Sequence, residues 1–186
     1  MAMPYLADFT SKYRGQLIID TYKKWIKSGV RVLDVGCGNG VVSAQLRDHF
    51  YIKITGCDVM NYLIKSLSFV KMDTQDKLPF ANKSFDTVMF NDVLHHMPYQ
   101  TQIKLVREAQ RVAKRVLIFE VIPTPLGVLS DWLINKIHHP QMNIPFTFRS
   151  RQDWEKLFKK LGVDYQSEKI KTPVWYPFSH IAFNLT

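Results

Sequence analysis

The sequence predicts an α/β protein: a mostly parallel β-sheet with helices on both faces, arranged as three layers. Two observations support this prediction. Short apolar runs alternate with segments of helical periodicity, the pattern of repeated β-α-β units. Several of these runs contain almost no polar residue, as expected for strands that helices cover on both faces. The length of 186 residues corresponds to about one domain, so we expect a single domain over residues 1–186.

Five apolar runs are predicted as strands, and a terminal antiparallel hairpin follows them. The strands are 30–35, 52–57, 68–72, 85–90 and 116–122, and the hairpin pairs 163–170 with 180–185. Helical periodicity predicts helices over 10–27, 41–49, 100–113 and 151–161. Ser150 and Gly162 suit the two ends of the last helix. Only residues 59–67 separate the second and third strands, so we expect a reduced crossover there and a thinly covered flank.

The composition excludes several classes of protein. With 46% hydrophobic and 22% charged residues, the chain is neither disordered nor collagen-like, and two cysteines are too few for a disulfide framework. Because Cys37 and Cys57 form no CxxC pair, a reduced, cytoplasmic location is expected. Neither an export signal nor a membrane span is visible in the sequence.

The formal net charge of +9 would attract nucleic acid, anionic lipid or an acidic substrate. Residues 1–99 hold 12 basic and 9 acidic side chains, and residues 100–186 hold 13 and 7. The excess is therefore weighted toward the second half, yet it is spread over helices and strands. The charge keeps RNA open as a partner without selecting it.

The segment DVGCGNG, which starts at Asp34, joins the first strand to a helix. Its glycines allow a tight turn and a close approach of a ligand to the backbone, and the helix start supplies free N–H groups. The spacing differs from the GxGxxG of dinucleotide sites, and Asp34 would repel a pyrophosphate. An acid there suits an amino-acid ammonium, so the loop predicts a ligand with an amino-acid end. The alternative is an ordinary strand–helix turn.

Polar residues also end the next three strands. Asp58 lies 18 residues after Gly40, about where an acid binds ribose hydroxyls in nucleotide-binding sheets. Asp73 and Asn91 end the third and fourth strands. Because the carboxyl ends of parallel strands meet at one crevice, we expect these side chains to converge there. The alternative for Asp58 is that it caps a loop, and the alternative for Asp73 is that it caps a turn.

Four segments in order, DVGCGNG, GCD, MDTQDKLPF and FDTVMFNDVLHHM, resemble those of class I S-adenosylmethionine-dependent methyltransferases, in the small-molecule group that includes quinone-biosynthesis enzymes. The resemblance covers about residues 30–121, and PFTFRSRQDWEKLFKKLGV also fits this group. It implies a Rossmann-like fold, a seven-stranded sheet with an antiparallel last strand, and S-adenosylmethionine as cofactor. The family usually has a fuller helix where this chain has residues 59–67.

The resemblance also implies the residues of the cofactor site. Asp34 and the glycine loop would hold the methionine part, Asp58 the ribose, Asp73 and its neighbours the adenine, and Asn91 would lie beside the methionine part and the substrate. The implied set is Asp34, Gly36, Cys37, Gly38, Asn39, Gly40, Asp58, Val59, Met72, Asp73, Thr74 and Asn91.

His95 and His96 are candidate general bases, because an unperturbed imidazole accepts a proton near neutral pH. Their alternative is a packing or hydrogen-bonding role. His138 and His139 lack a third ligand at metal spacing, so no metal is expected. The sulfonium methyl of the implied cofactor is already activated, and positioning of the reactants alone is worth ~7–11 kcal/mol. A base is therefore needed only for a protonated acceptor.

The predicted reaction is in-line methyl transfer to a small, mostly apolar molecule. Residues 123–149 form an insert after the fifth strand, whose apolar side chains suit such a pocket, and residues 1–28 are predicted to act as a helical lid. Two alternatives stay open. One is an RNA-directed methyltransferase or an RNA-binding module on the same fold, and the other is a non-catalytic partner subunit that keeps the cofactor pocket.

Overall fold

The computed structural model describes residues 4–138 and 145–186, with side chains described over 11–133, 136 and 145–186. The helices are α1 Pro4–Tyr22, α2 Val41–Phe50, α3 Tyr99–Val112, α4 Pro125–His138 and α5 Arg151–Leu161. The strands are β1 Arg31–Val35, β2 Lys53–Asp58, β3 Ser68–Lys71, β4 Phe85–Asn91, β5 Ala113–Ile122, β6 Tyr165–Lys169 and β7 Ser179–Leu185. A short 3-10 helix, Leu94–His96, follows β4.

The strands form one seven-stranded sheet in the order β3-β2-β1-β4-β5-β7-β6. β7 is antiparallel to both β5 and β6, and the other pairs are parallel. The predicted seven-stranded sheet with one antiparallel strand at the end of the chain is confirmed. The strand order reverses direction between β1 and β4, which places the crevice of the sheet at the carboxyl ends of these two central strands.

Two apolar cores lie on opposite faces of the sheet, because successive strand residues point in opposite directions. In β4, Val88 and Phe90 belong to the core under α3 and α5, whereas Met89 belongs to the core under α1 and α2. The same alternation in β5 separates Ile118 from Phe119. Both sheet faces are therefore covered, and the predicted three layers are confirmed.

α1 differs most from its predicted bounds of 10–27. It begins at Pro4, a residue whose fixed φ suits the first helical turn, and it ends at Tyr22. The backbone N–H groups of Trp25 and Ile26 then both donate to the Tyr22 carbonyl in a turn. Because both side chains remain buried, the apolar pattern continues beyond the helix, and periodicity alone overestimates where the helix ends.

The connection 59–67 between β2 and β3 contains no helix, so the reduced crossover is an irregular segment with bends. It is held against α2 and the glycine loop instead: the Arg47 guanidinium donates to the Ser66 carbonyl at 2.8 Å, and the Ile64 N–H donates to the Asn39 carbonyl at 3.0 Å. The connection therefore borders the glycine loop directly.

The insert 123–149 contains a helix, α4, where the sequence predicts only a pocket-forming segment. Its apolar residues Leu126, Leu129 and Leu133 are exposed, whereas Asp131 is largely buried. Residues 139–144 of the insert, including His139, lie outside the described residues, as does the side chain of His138. Among the described helices, none has the length and apolar character needed to cross a bilayer.

Candidate active site

The glycine loop at the end of β1 has the backbone that only glycine adopts readily. Gly36, Gly38 and Gly40 all have positive φ, at 73°, 50° and 76°. A Cβ on Gly36 would lie 2.1 Å from a methyl group of Val93, so there is no room for a side chain. At Gly38, in contrast, no atom lies within 4 Å of the Cβ position. The loop is therefore tightly packed at Gly36 and open at its crest, Gly38.

Asp58, at the end of β2, holds this loop in place. Its carboxylate accepts hydrogen bonds from the Gly38 N–H at 3.1 Å and from the Val59 N–H at 2.7 Å. Burial raises the pKa of Asp58, and hydrogen bonds from Gly38 and Val59 oppose the shift. Each carboxylate oxygen can accept a further hydrogen bond. Asp58 therefore organises the loop and retains acceptor capacity for ligand hydroxyls.

Asp34 and Asn91 meet between the ends of β1 and β4. The Asn91 amide donates to Asp34 Oδ1 at 3.1 Å, and the Ser43 hydroxyl donates to Asp34 Oδ2 at 2.6 Å. The Tyr22 hydroxyl donates in turn to Asn91 Oδ1 at 3.0 Å. Burial raises the pKa of Asp34 to about 6. Since Asp34 is only 2% exposed, its direct contact with a ligand ammonium stays a prediction.

Cys37 and Asn39 support the loop from within. Asn39 Oδ1 accepts from the Val41 N–H at 3.1 Å and so satisfies the first turn of α2. Cys37 is a buried free thiol. Its sulfur would lie only 2.7 Å from a Cβ on Gly56, so the thiol packs against this glycine and leaves no room for a side chain there. Burial raises the pKa of both Cys37 and Cys57, so both stay protonated and fill space.

The three predicted adenine-side residues follow β3 but differ in exposure. Met72 is buried in the core beside α3, and its N–H donates to the Asp58 carbonyl at 2.8 Å. Asp73 and Thr74 are both exposed. The structure thus brings Met72 to Asp58 through the backbone, and contact of these three residues with adenine stays a prediction.

Asp92 follows Asn91 in a left-handed conformation, with φ at 53°. Its buried carboxylate lies 3.2 Å from His180 Nε2 and 3.6 Å from an Arg14 nitrogen. Burial alone would raise the pKa of Asp92, but His180 and Arg14 outweigh burial and lower it. These contacts join α1, the end of β4 and β7 at the crevice.

Tyr13 connects α1 to the chain between β6 and β7. Its ring centre lies 4.8 Å from that of Trp175 and 5.0 Å from that of Tyr176. The lid function predicted for residues 1–28 stays a prediction, and this aromatic cluster is the contact through which such a lid would close. The side chains of Tyr5 and Phe9 lie outside the described residues.

His95 is buried between two carboxylates. Its Nδ1 lies 2.6 Å from Glu120 Oε2, and its Nε2 lies 3.5 Å from Asp131 Oδ2. Burial by itself lowers the pKa of His95, but Glu120 and Asp131 outweigh it and raise the pKa to about 10. His95 is therefore charged at neutral pH rather than free to accept a proton.

His96 lies beside His95, with ring centres 4.0 Å apart. Burial, followed by the charge of His95, lowers the pKa of His96 to about 3. General bases act best with a pKa near the working pH. Neither histidine has such a pKa, so the base role expected of His95 or His96 lacks electrostatic support and stays a prediction.

Sequence reasoning missed several residues that the fold brings to this crevice: Arg14, Tyr22, Ser43, Val93, Glu120, Asp131 and His180. One of them carried a visible signal. Glu120 is the only charged residue in the apolar run VLIFEVI, and an acid in a doubly covered strand needs buried partners. It finds them in the N–H groups of Val93 and Leu94, at 2.9 and 2.7 Å.

Sequence comparison identifies related proteins. A family profile described as a methyltransferase domain matches residues 33–118. The 27-O-demethylrifamycin SV methyltransferase of Amycolatopsis mediterranei is 28% identical over 57% of this chain and 44% of its own length. The fatty-acid O-methyltransferase of Mycolicibacterium smegmatis is 35% identical over 50% of this chain and 37% of its own length. The chain thus spans less than half the length of either curated relative.

Structural comparison extends the likeness over the whole fold. The magnesium protoporphyrin IX methyltransferase (ChlM) from Synechocystis PCC 6803, solved with bound SAH, superimposes with a TM-score of 0.68. The match covers 100% of this chain and 88% of that chain at 18% identity, and so concerns the fold. The strand order, the glycine loop and the matched profile agree. Residues 33–118 of the chain are therefore similar to a methyltransferase domain, on a fold shared with solved methyltransferases.

Proposed function

We propose that this chain transfers a methyl group from S-adenosylmethionine to a small, mostly apolar molecule by in-line displacement. The observation that carries the proposal is the convergence of the glycine loop, Asp58 and Asn91 at the carboxyl ends of β1, β2 and β4. Ligands of open α/β sheets bind at this point of strand-order reversal. The methyltransferase-domain profile that matches residues 33–118 supports the same cofactor.

The residues fit the proposed cofactor. The open crest at Gly38 leaves room for a ligand against the backbone, and the Asp58 carboxylate can accept from ribose hydroxyls. Asn91, held by Asp34 and Tyr22, presents a fixed amide beside the methionine part. When bound, the cofactor supplies an activated sulfonium methyl. The protein then has to align the acceptor and exclude water, which needs no catalytic triad.

The insert and the names of the relatives support an apolar acceptor. α4 exposes four large apolar side chains: Leu126, Leu129, Trp132 and Leu133. Two relatives are named for a demethylrifamycin and for a fatty acid, both molecules with large apolar parts. Arg149, which stacks on Tyr99 at 4.6 Å, offers a polar group near the insert. The free thiols Cys37 and Cys57 agree with a reduced, cytoplasmic setting, which is part of the proposal.

The experiment uses S-adenosylmethionine labelled in its methyl group, incubated with the intact chain and a cell extract. We expect label in the fraction that organic solvent extracts, and much less label with Asp58→Asn at a cofactor concentration near the parent's dissociation constant. Label in RNA instead would favour the RNA-directed alternative, for which the +9 charge predicts binding that falls steeply with salt. Cofactor binding without label in any fraction would favour the non-catalytic partner subunit.

A further inference from the structure

Three metal-ligating side chains from two separate elements meet beside the candidate active site. The short helix after β4 provides His95 and His96, and α4 provides Asp131. One donor atom from each side chain lies within 4.8 Å of the other two. His95 and Asp131 are almost fully buried. The cluster is therefore formed by the fold and is not a chance contact at the surface.

Each histidine presents one ring nitrogen to this cluster. His95 Nδ1 is engaged by Glu120 at 2.6 Å, which orients the ring so that Nε2 faces Asp131. His95 Nε2 lies 3.5 Å from Asp131 Oδ2, and among the described residues His96 Nδ1 is buried without a hydrogen-bond partner. Buried polar atoms in native proteins nearly always have a partner, and an unpartnered one points to a water or an ion.

The charge around the cluster favours a cation. The carboxylates of Glu120 and Asp131 approach His95 from β5 and from α4. The Asp92 carboxylate, directly after β4, is paired with His180 and Arg14. A metal ion at His95 Nε2 would take the place of the proton that this nitrogen otherwise carries, so binding releases a proton and keeps positive charge beside the carboxylates.

We propose that His95, His96 and Asp131 bind one divalent metal ion of the borderline class that includes Zn²⁺ and Co²⁺. Two imidazole nitrogens and one carboxylate oxygen are donors that these ions accept, and three protein ligands leave a further position for water or another small ligand. Glu120 is a positioning residue, because a carboxylate on the second nitrogen of a ligating histidine fixes its ring. The ion ties α4 of the insert to the end of β4.

The test is calorimetric titration of the metal-free intact chain with Zn²⁺, repeated with Co²⁺, whose visible absorption reports nitrogen and oxygen ligands. We expect one ion per chain. His96→Ala and Asp131→Asn should each weaken binding by more than ~100-fold. Glu120→Gln should weaken it by about 10–100-fold, as changes behind a metal ligand do. His49→Ala, at an exposed histidine of α2, is the matched control and should bind as the parent chain does.

Thermal unfolding separates site loss from misfolding. Without metal, each variant should unfold near the parent's temperature, and Zn²⁺ should raise that temperature for the parent and His49→Ala only. If either His96→Ala or Asp131→Asn fails to fold, metal binding by the other variant decides whether the proposed ligands hold the ion. The absence of 1:1 binding, equal affinity for Mg²⁺, or unchanged binding in both ligand variants would overturn the proposal. None of these readouts depends on methyl transfer, so the site and the proposed function can fail separately.

Discussion

The Asn91 side-chain amide donates a hydrogen bond to the Asp34 carboxylate over 3.1 Å, joining the ends of the two central strands. These strands pair in parallel, with Val35 beside Phe90, so the bond lies at the carboxyl edge of the sheet. Tyr22 completes the chain from α1. One buried acid therefore couples the packing of α1 to the orientation of Asn91.

The buried Asp34 carboxyl makes stability depend on pH. Its pKa of about 6 in the folded chain exceeds the ordinary value of 3.8 because burial disfavours the charge. As pH falls from about 6 to 4, the folded chain takes up this proton before the unfolded chain does, so folding becomes more favourable.

Asp34→Asn cannot take up the proton. Urea unfolding of both proteins at several pH values should give a parent-minus-variant free energy of unfolding that rises by up to about 3 kcal/mol as pH falls. If the parent-minus-variant free energy of unfolding stays constant, or falls toward acid pH, the raised pKa of the buried Asp34 carboxyl is contradicted.

Gly36→Ala should abolish binding of S-adenosylhomocysteine and destabilise the fold. Alanine at positive φ costs about 1–2 kcal/mol, and the collision of its Cβ with Val93 adds about 1–3 kcal/mol of overpacking. Gly29→Ala is the matched control, because Gly29 has φ 78° but open space around it. Chemical denaturation should show a larger loss for Gly36→Ala, partly restored by adding Val93→Ala. Equal losses at the two glycines would argue against the contact.

Asp58→Asn should weaken the affinity for S-adenosylhomocysteine by about 10–100-fold, equivalent to about 1.5–3 kcal/mol for hydrogen bonds to a charged group. The carboxylate both orients Gly38 and offers acceptors to ribose. Calorimetry measures the change, with Asp48→Asn on the exposed face of α2 as a control of the same chemistry. If the two variants bind alike, Asp58 has no part in the site.

Tyr13→Ala tests the lid. Aromatic pairs contribute about 0.5–1.5 kcal/mol each, and Tyr13 contacts the rings of Trp175 and Tyr176. Loss of these contacts should weaken cofactor affinity several-fold, whereas Tyr13→Phe, which keeps the ring, should bind nearly as the parent does. If Tyr13→Ala binds the cofactor with unchanged affinity, residues 1–28 do not act as a lid through this aromatic cluster.

The sheet was predictable from the sequence because the central strands contain mostly apolar runs, and Asp34 and Asp58 stand near the ends of two of these strands. Ser150 and Gly162 likewise mark both ends of α5, where a capping box and a left-handed residue are found. Strand ends and helix caps depend only on neighbouring residues in the sequence. They can therefore be predicted without knowledge of the tertiary structure.

The features that could not be predicted from the sequence depend on contacts between residues that are distant along the chain. α4 exposes Leu126, Leu129 and Leu133, so the sequence pattern there indicates a pocket lining rather than a helix against the core. Asp131 reaches His95 only because α4 folds back over the end of β4. The perturbed pKa values of His95 and His96 follow from that packing, which residue types alone do not reveal.

Calorimetric titration of the intact chain with S-adenosylhomocysteine tests the central claim most directly. The geometry of Gly38, Asp58 and Asn91 predicts one binding site per chain, weakened by Asp58→Asn and unaffected by Asp48→Asn. A folded chain that binds none of this ligand at millimolar concentration would contradict the proposed methyltransferase function.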